Sequence, residues 1–269
     1  MKTRAIHAAL CLALLFALSC PARAVDVGVS FVIDGVKIER EIATQTVDQT
    51  VYVSYWPIVE ALYPGAEAQW ANGQAEVRAA GLELFIKPQT SYIVANGRYL
   101  YVPGGVMCKG SSVLVPVRVL CRALGASVCW DNGTVRITSG AGPIAPAGQA
   151  YPQESLYWLS RIIYAESGNQ PLAGKIAVGN VVLNRVNSSA FPNTVYSVVF
   201  QGSQFTPVMN GTIYSTPNAE SVIAAKLCLD GANTVGDALY FVNPRATPGS
   251  WASRNRPYVA TIGAHAFFA

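Results

Sequence analysis

The carboxyl groups of the C-terminal half are the first candidates for chemistry, because this half contains few of them. From position 151 to the end there are five acids: Glu154, Glu166, Glu220, Asp230 and Asp237. Glu166 follows Ile162 and Ile163 at helical spacing, which turns its carboxyl group toward the core side. Gly168 then predicts the end of the helix, close to the negative end of its dipole. Burial and a like-signed helix terminus both disfavour the carboxylate, so we predict a raised pKa for Glu166 and a role as general acid.

An ordinary role for Glu166 stays open at this point. The side chain could reach solvent, or it could form an ion pair with Arg161 or Arg185. The other four acids flank predicted helices, where they are expected to act as capping or dipole partners, except Asp237, which lies in a predicted turn. They are therefore weaker candidates for catalysis than Glu166.

Metal, thiol and serine chemistry lack the residues that they need. His265 is the single histidine after the first 24 residues, which is too few for a zinc hydrolase, and it is expected to be buried scaffold. Cys228 lies inside an apolar helical stretch and is expected to pack in a core. The sequence contains no GxSxG motif and no phosphate-binding glycine loop. We expect no metal and no cofactor, which leaves carboxylate chemistry.

The composition predicts a folded, exported protein. The chain has 269 residues, of which 51% are hydrophobic and 13% charged, enough to bury a sizeable core. Residues 1–24 predict a signal peptide, with a basic start, an apolar middle and a final Ala-Arg-Ala. A lipoprotein signal acylated at Cys20 is the weaker alternative, because Ala17 stands where such signals usually carry Leu. No later stretch approaches about 18 apolar residues, so we expect no transmembrane segment in the mature form. The net charge of +4 is too small to predict nucleic acid as a partner.

Export also permits disulfides. Cys108, Cys121 and Cys129 lie within 22 residues of one another and could form one bridge, whereas Cys228 stands apart. The spacing does not select a pairing.

The order of motifs predicts two domains. In the first, residues 25–138, the segments 51–78 and 113–137 both read strand, proline, short helix, Gly-Ala, and a strand that enters a Trp-x-Asn-Gly turn. Residues 139–152 are rich in Gly, Ala and Pro and predict a semi-rigid linker. The second domain, residues 153–269, has three apolar helical stretches and a predicted hairpin near DALYFVNP. We predict an α+β protein, in which a duplicated β/α module precedes a mainly helical domain with a small sheet.

Both domains resemble known families. The motifs PVR, LGA and WD of the second N-terminal segment resemble the copper amine oxidase N-terminal-like domain, a stalk on bacterial surface proteins. That likeness implies anchoring or spacing, and it does not imply copper, because residues 25–138 contain no His. Residues 156–269 resemble the SleB/CwlJ-type cell-wall hydrolase domain through RIIYAES, GKIAVGNVVLNRV, QFTPV, ALYFVNP and IGAHAFF.

The second resemblance implies a peptidoglycan-cleaving enzyme related to lytic transglycosylases and goose-type lysozymes, with Glu166 as its catalytic residue. It also implies that Gln204, Thr206, Tyr240 and Asn243 line the cleft and orient the sugar, with turn chemistry as the alternative for these motifs. A lytic transglycosylase needs only one carboxyl group, which acts as acid and then as base. The scarcity of acids is therefore no obstacle to this mechanism.

We therefore predict a secreted enzyme, associated with the cell wall or the spore, that cuts the MurNAc–GlcNAc strand of peptidoglycan while its N-terminal domain contacts wall polymers. A non-catalytic wall-binding protein that retains the groove is the alternative, and cleavage of the stem peptide has poor support. Spore cortex or vegetative wall, and transglycosylation or hydrolysis, stay open. Residues 251–258 contain Trp, Tyr and Arg and predict a saccharide or peptide contact surface, with a solvated face as the alternative.

Overall fold

A computed structural model describes residues 28–202 and 204–269. The predicted signal peptide and Cys20 lie outside the described residues. The architecture is α+β, as predicted: strands dominate up to residue 138, and helices dominate after it. Within the described ranges, no helix has both the length and the apolar composition needed to cross a membrane.

The N-terminal part consists of short strands and two short helices. They are β1 Ser30–Ile33, β2 Val36–Lys37, β3 Thr44–Val47, β4 Thr50–Ser54, α1 Tyr55–Leu62, β5 Glu67–Ala71, β6 Gln74–Ala79, β7 Leu82–Ile86, β8 Tyr92–Ala95, β9 Arg98–Tyr101, β10 Met107–Lys109, β11 Ser112–Pro116, α2 Val117–Ala123, β12 Ser127–Asp131 and β13 Thr134–Thr138. The strands form three sheets, with the orders β12-β13-β1-β2, β10-β11-β4-β3 and β5-β6-β7-β8-β9. Strands β1 and β13 are the first and last strands of this part, and they pair in parallel in the first sheet.

The alternation of apolar residues explains why these strands face one core. In β7, Leu82, Leu84 and Ile86 are buried and the intervening Glu83 is exposed. Strand β6 contributes Val77 to the same core from its own alternate positions. Side chains two residues apart lie on one face of a strand, so each strand presents one apolar face to the interior.

The two segments noted in the sequence have the same order of elements. Strand β4 leads directly into α1 and the β5–β6 hairpin, and β11 leads directly into α2 and the β12–β13 hairpin. Pro116 is the N-cap residue of α2, and Pro57 lies in the first turn of α1. Their origin by duplication stays a prediction.

The C-terminal part contains seven helices and three strands among the described residues. They are α3 Ala147–Ala150, α4 Gln153–Ser167, α5 Leu172–Asn187, α6 Val195–Val199, α7 Thr206–Met209, α8 Ala219–Leu229, β14 Tyr240–Val242, α9 Trp251–Asn255, β15 Tyr258–Ile262 and β16 His265–Phe268, with a 3-10 turn at Thr212–Tyr214. Helices α4, α5 and α8 pack against one another. A Cβ atom on Gly179 of α5 would lie 2.6 Å from Cys228 Sγ and 2.9 Å from Ile163 Cδ1, so glycine is what allows this close packing.

The small sheet has the order β14-β16-β15. The predicted hairpin near DALYFVNP is wrong, because β14 pairs with the last strand, β16, and the hairpin is formed by β15 and β16. Phe267, at the centre of β16, is fully buried and packs against Phe241 of β14. The apolar end of the chain therefore occupies the centre of the sheet, which leaves β14 without a neighbour that is adjacent in sequence.

A buried charge cluster joins the two parts of the chain. Asp230 is the C-cap residue of α8, and its carboxylate is 1% exposed. It accepts hydrogen bonds from Arg98 Nε at 3.0 Å, from Arg122 Nη2 at 2.9 Å and from the Tyr151 hydroxyl. Of the two roles expected for Asp230, it occupies the capping position of α8, whereas the dipole role is wrong because Asp230 lies at the negative end of the helix. The two arginines compensate its charge.

The predicted linker, residues 139–152, packs against the N-terminal part. Asn96 Nδ2 donates to the backbone oxygen of Ile144 at 2.9 Å, and the Ala147 N–H donates to the Asn96 oxygen at 2.9 Å. Tyr151 is 5% exposed. These contacts order the segment, while its boundaries as a linker stay a prediction.

The structure contains no disulfide among the described cysteines. Cys121 and Cys228 are buried thiols, and Cys108 and Cys129 are exposed thiols. The bridge that the spacing allowed is therefore not formed.

Candidate active site

The C-terminal end of α4 positions Glu166. The helix ends at Ser167, and its C-cap residue Gly168 donates its N–H to the Tyr164 oxygen at 2.8 Å. The Ser167 hydroxyl is buried and donates to the Ile163 oxygen at 2.7 Å. Glu166 therefore lies in the last turn, as the apolar spacing and Gly168 predicted.

Glu166 faces a cleft with a volume of about 790 Å³. The cleft is lined by Tyr164, Ala165, Glu166, Gly168, Asn169, Thr206, Pro207, Asn210, Thr212, Ser215 and Asn218. Burial raises the pKa of Glu166 from 4.5 to about 6, because the charged form loses water. A carboxyl group in this range can hold its proton near neutral pH and release it during a reaction.

The ion pairs considered for Glu166 do not form. The Arg161 guanidinium stacks on the Tyr157 ring, 3.7 Å from its centroid. Arg185 hydrogen-bonds Leu239 and Gln204. Among the described residues no side chain forms a hydrogen bond or an ion pair with the Glu166 carboxyl group, so its environment is that of an unpaired, partly buried acid.

The other acids of this half do not line the cleft. Glu220 pairs with Lys175, Asp230 is held at the junction of the two parts, and Asp237 is exposed. Glu154 lies in the first turn of α4, at the opposite end from Glu166. Across the described ranges, no group of His, Cys, Asp and Glu side chains could hold a metal ion. Glu166 is thus the one carboxyl group among the described residues that line the cleft.

Asn218 lines the cleft and is a candidate that sequence reasoning missed. Its Oδ1 accepts the Ser221 N–H at 2.8 Å and caps α8, and its Nδ2 donates to the Gly168 oxygen at 3.3 Å. The buried Lys175 donates to the Gln170 oxygen at 2.6 Å and to Glu220. These contacts attach the loop after α4 to the start of α8. An Asn directly before a helical stretch was the available signal.

The four predicted substrate-binding residues fall into different places. Thr206 begins α7 and lines the cleft with Glu166. Gln204 Oε1 accepts from Arg185 Nη1 at 3.5 Å, and the Tyr240 ring centroid lies 5.7 Å from the Arg185 Cζ. Asn243 Oδ1 accepts a backbone N–H of the following turn. Gln204, Tyr240 and Asn243 are not among the residues that line the cleft, and their binding roles stay predictions.

Arg185 is a buried residue that contacts two separate segments of the C-terminal part. The residue is 5% exposed, and its Cζ lies 5.0 Å from the Phe191 centroid and 5.3 Å from that of Phe205. Its Nε donates to the Leu239 oxygen at 2.8 Å. Desolvation lowers its pKa from the ordinary value. Arg185 therefore connects the segment before Thr206 with the segment before β14.

His265 and Cys228 are both held in packed surroundings. His265 is 7% exposed, its ring centroid lies 5.3 Å from that of Phe241, and burial lowers its pKa. Burial raises the pKa of the Cys228 thiol well above its usual range. Neither side chain lines the cleft, which agrees with the expected scaffold and packing roles.

Replacing Glu166 by Gln is expected to raise the free energy of unfolding near pH 7 by about 1–2 kcal/mol. The folded-state pKa is raised, so ionisation penalises the folded state, and wild type loses this stability as the pH rises from 4.5 to about 6. Urea unfolding of both proteins near pH 7 and near pH 4 measures the difference. A stability gain that persists near pH 4 contradicts the buried-acid explanation.

Two family models match the chain. The cell wall hydrolase model matches residues 169–268, and the copper amine oxidase N-terminal domain model matches residues 32–139. The first match begins just after Glu166. The two expected resemblances are thus confirmed, each over its own part of the chain.

Similar curated proteins are spore cortex-lytic enzymes. The enzyme of Bacillus cereus is 39% identical over 117 residues, covering 44% of this chain and 45% of the relative. That of Oceanobacillus iheyensis is 35% identical over 129 residues, covering 48% and 46%. The chain thus spans less than half the length of these relatives. The solved catalytic domain of the germination-specific lytic transglycosylase SleB from Bacillus anthracis is 39% identical, with a TM-score of 0.42 over 46% of this chain and 100% of that domain.

Proposed function

Because residues 169–268 form a cell wall hydrolase domain and residues 32–139 form a copper amine oxidase N-terminal domain, we propose that this chain cleaves the glycan strand of peptidoglycan. The observation that carries the proposal is Glu166: an unpaired carboxyl group in an open cleft, with a pKa raised to about 6 by burial. The names of the similar curated proteins support peptidoglycan as the substrate.

The chemistry that fits a single carboxyl group is that of a lytic transglycosylase. Protonated Glu166 donates its proton to the glycosidic oxygen between MurNAc and GlcNAc, and the leaving sugar departs as an alcohol. The resulting carboxylate accepts the proton of the 6-hydroxyl of the same muramoyl unit while that oxygen bonds to C1. The product is a 1,6-anhydro end, and no water is consumed. Ordinary glycoside hydrolysis uses a second carboxyl group about 5–9.5 Å away, and no other carboxyl group lines the cleft among the described residues.

Further polar side chains of the cleft suit sugar binding. Thr206, Asn210 and Asn218 line it with Glu166 and offer hydroxyl and amide groups to sugar hydroxyls. We propose Gln204, Tyr240 and Asn243 as further contacts for the glycan, beyond the residues that line this cleft. Among the described residues, no Lys or Arg lines the cleft. The positive charge that develops at C1 is therefore not opposed by a cation there.

The location that suits this function is the cell wall or the spore. The curated relatives are named for the spore cortex, so we propose cortex peptidoglycan as the first substrate to examine and vegetative wall as the second. The N-terminal domain, which is fixed to the catalytic domain through Asp230, is proposed to contact wall polymers. Export by a signal peptide over residues 1–24 is part of the same proposal.

Product analysis tests the proposed reaction. Purified protein is incubated with cortex and with vegetative peptidoglycan, and the soluble fragments are reduced with borohydride and weighed by mass spectrometry. We expect 1,6-anhydro-muramoyl ends, which borohydride does not reduce. If only reducing muramic ends are found, the reaction is hydrolysis and not transglycosylation. New amino groups would indicate cleavage of the peptide. Binding without release of fragments would indicate a wall-binding protein.

A further inference from the structure

Two arginines converge on one tyrosine ring, that of Tyr240. The Arg185 Cζ lies 5.7 Å from the Tyr240 centroid, and the Arg256 Cζ lies 5.0 Å from it. Arg256 Nη2 also donates to the Tyr240 hydroxyl at 3.2 Å. Trp251 completes the group, with its ring centroid 5.5 Å from that of Tyr240 and 5.1 Å from the Arg256 Cζ. We call these four residues the arginine–aromatic cluster.

The positive charge of this cluster has no protein counter-ion. Among the described residues, no carboxylate forms an ion pair with Arg185 or Arg256. Residues 231–269 contain three arginines and one acid, the exposed Asp237. The aromatic rings offset part of the repulsion between the two cations, but they leave guanidinium donors of Arg256 without an acceptor. A site of this kind favours an anion.

Arg185 links the cluster to the segment that leads into the cleft. Arg185 Nη1 contacts Gln204 Oε1, and Gln204 is followed by Phe205 and then by Thr206, which lines the cleft with Glu166. Trp251 is 54% exposed, so it offers a ring face to a ligand that extends out of the cleft. A side branch of a substrate held at Glu166 would have to follow this segment to reach the cluster.

We propose that the arginine–aromatic cluster is a subsite for a carboxylate group on the peptide stem that branches from the muramoyl sugar. This proposal rests on the proposed function and adds the part of the substrate that lies outside the scissile bond. Arg256 binds the carboxylate through two parallel N–H donors, Trp251 packs against the stem, and Tyr240 fixes the guanidinium plane. Arg185 supports Tyr240 from the buried side and adds to the positive potential.

The test combines a protein change with a substrate change. Arg256→Gln removes the exposed guanidinium, and peptidoglycan fragments with stem carboxyl groups converted to methylamides remove its partner. We expect Arg256→Gln to raise KM on native fragments about tenfold with little change in kcat, and amidation to do the same to wild type. The variant acting on amidated fragments should show no further loss, because the same contact is then missing twice.

Arg245→Gln is the matched control. Arg245 is exposed in the turn after β14, and its side chain contacts no aromatic ring and no carboxylate among the described residues. This variant removes the same net charge and should leave KM near the wild-type value on both substrates. If KM rises equally for the two variants, the effect comes from net charge alone, and the subsite is disproved.

Two further outcomes also contradict the proposal. If Arg256→Gln raises KM equally on native and amidated fragments, the arginine does not bind a stem carboxylate. If wild type releases no fragments at all, the proposed function fails, and co-sedimentation with native and amidated cell walls then decides the subsite alone. Binding by Arg256→Gln equal to that by Arg245→Gln would overturn it there as well.

Discussion

Glu166→Gln is expected to reduce the release of glycan fragments from peptidoglycan by about a thousandfold or more. Gln has the size of Glu but cannot donate or accept the proton that both steps require, and acid–base groups typically contribute 10²–10⁴-fold. Because no second carboxyl group lines the cleft among the described residues, nothing there replaces it. The loss of turbidity of purified cell walls and the soluble muropeptides measure the rate. Wild-type activity should fall as the pH rises through about 6, where the general acid loses its proton.

The control for this variant is Glu154→Gln. Glu154 lies on the same helix, in the first turn, and does not line the cleft. It should retain nearly wild-type activity, with the small loss of helix stability expected for an acid at the positive end of the dipole. If Glu166→Gln keeps more than about a tenth of the activity, Glu166 is not the proton donor. The stability gain expected for the same variant near pH 7 distinguishes an inactive folded enzyme from an unfolded one.

The position of Glu166 could be predicted because its determinants are local. Apolar residues at helical spacing fix the face, and Gly168 fixes the end of the helix within two residues of the acid. The burial that raises its pKa then follows from the same face. Thr206, in contrast, was nominated only through the family resemblance, and its place beside Glu166 depends on how α7 packs.

The remainder of the site depends on contacts between residues far apart in sequence. The sequence identifies Asn218 as a helix cap, but only the packing of α8 on α4 brings its amide to the Gly168 oxygen. The burial of Arg185 among aromatic rings requires β14 and the segment before α7 to meet at α5. The periodicity of apolar residues in one segment carries no information about contacts between distant segments.

The fold shows the same division. The α+β class and the strand–helix–hairpin order follow from local patterns, whereas the partner of β14 does not. Its short apolar run could pair with any neighbouring strand, and β16, all four residues of which are buried, takes the central position. The junction of the two parts could not be predicted either. Arg98, Arg122 and Asp230 are residue types that usually lie on the surface, and only the packing of the two parts brings them together.

That junction carries the largest expected effect on stability. We expect Asp230→Asn to lower the free energy of unfolding by about 3 kcal/mol. The carboxylate is 1% exposed and is the acceptor for Arg98, Arg122 and Tyr151. Asn keeps the size but leaves the cations without their counter-charge, with Arg98 only 17% exposed. Urea unfolding followed by tryptophan fluorescence reports on both parts, because each contains tryptophan.

The two arginines should differ in their contributions, which makes the electrostatic explanation specific. Arg98→Gln should destabilise more than Arg122→Gln, because Arg122 is 46% exposed and its charge is screened by water. Asp237→Asn removes an exposed acid and should change stability by less than about 0.5 kcal/mol. If Asp230→Asn is as mild as Asp237→Asn, the cluster does not hold the two parts together. Separate unfolding transitions for the two parts in Asp230→Asn, with one shared transition in wild type, would show that this carboxylate couples them.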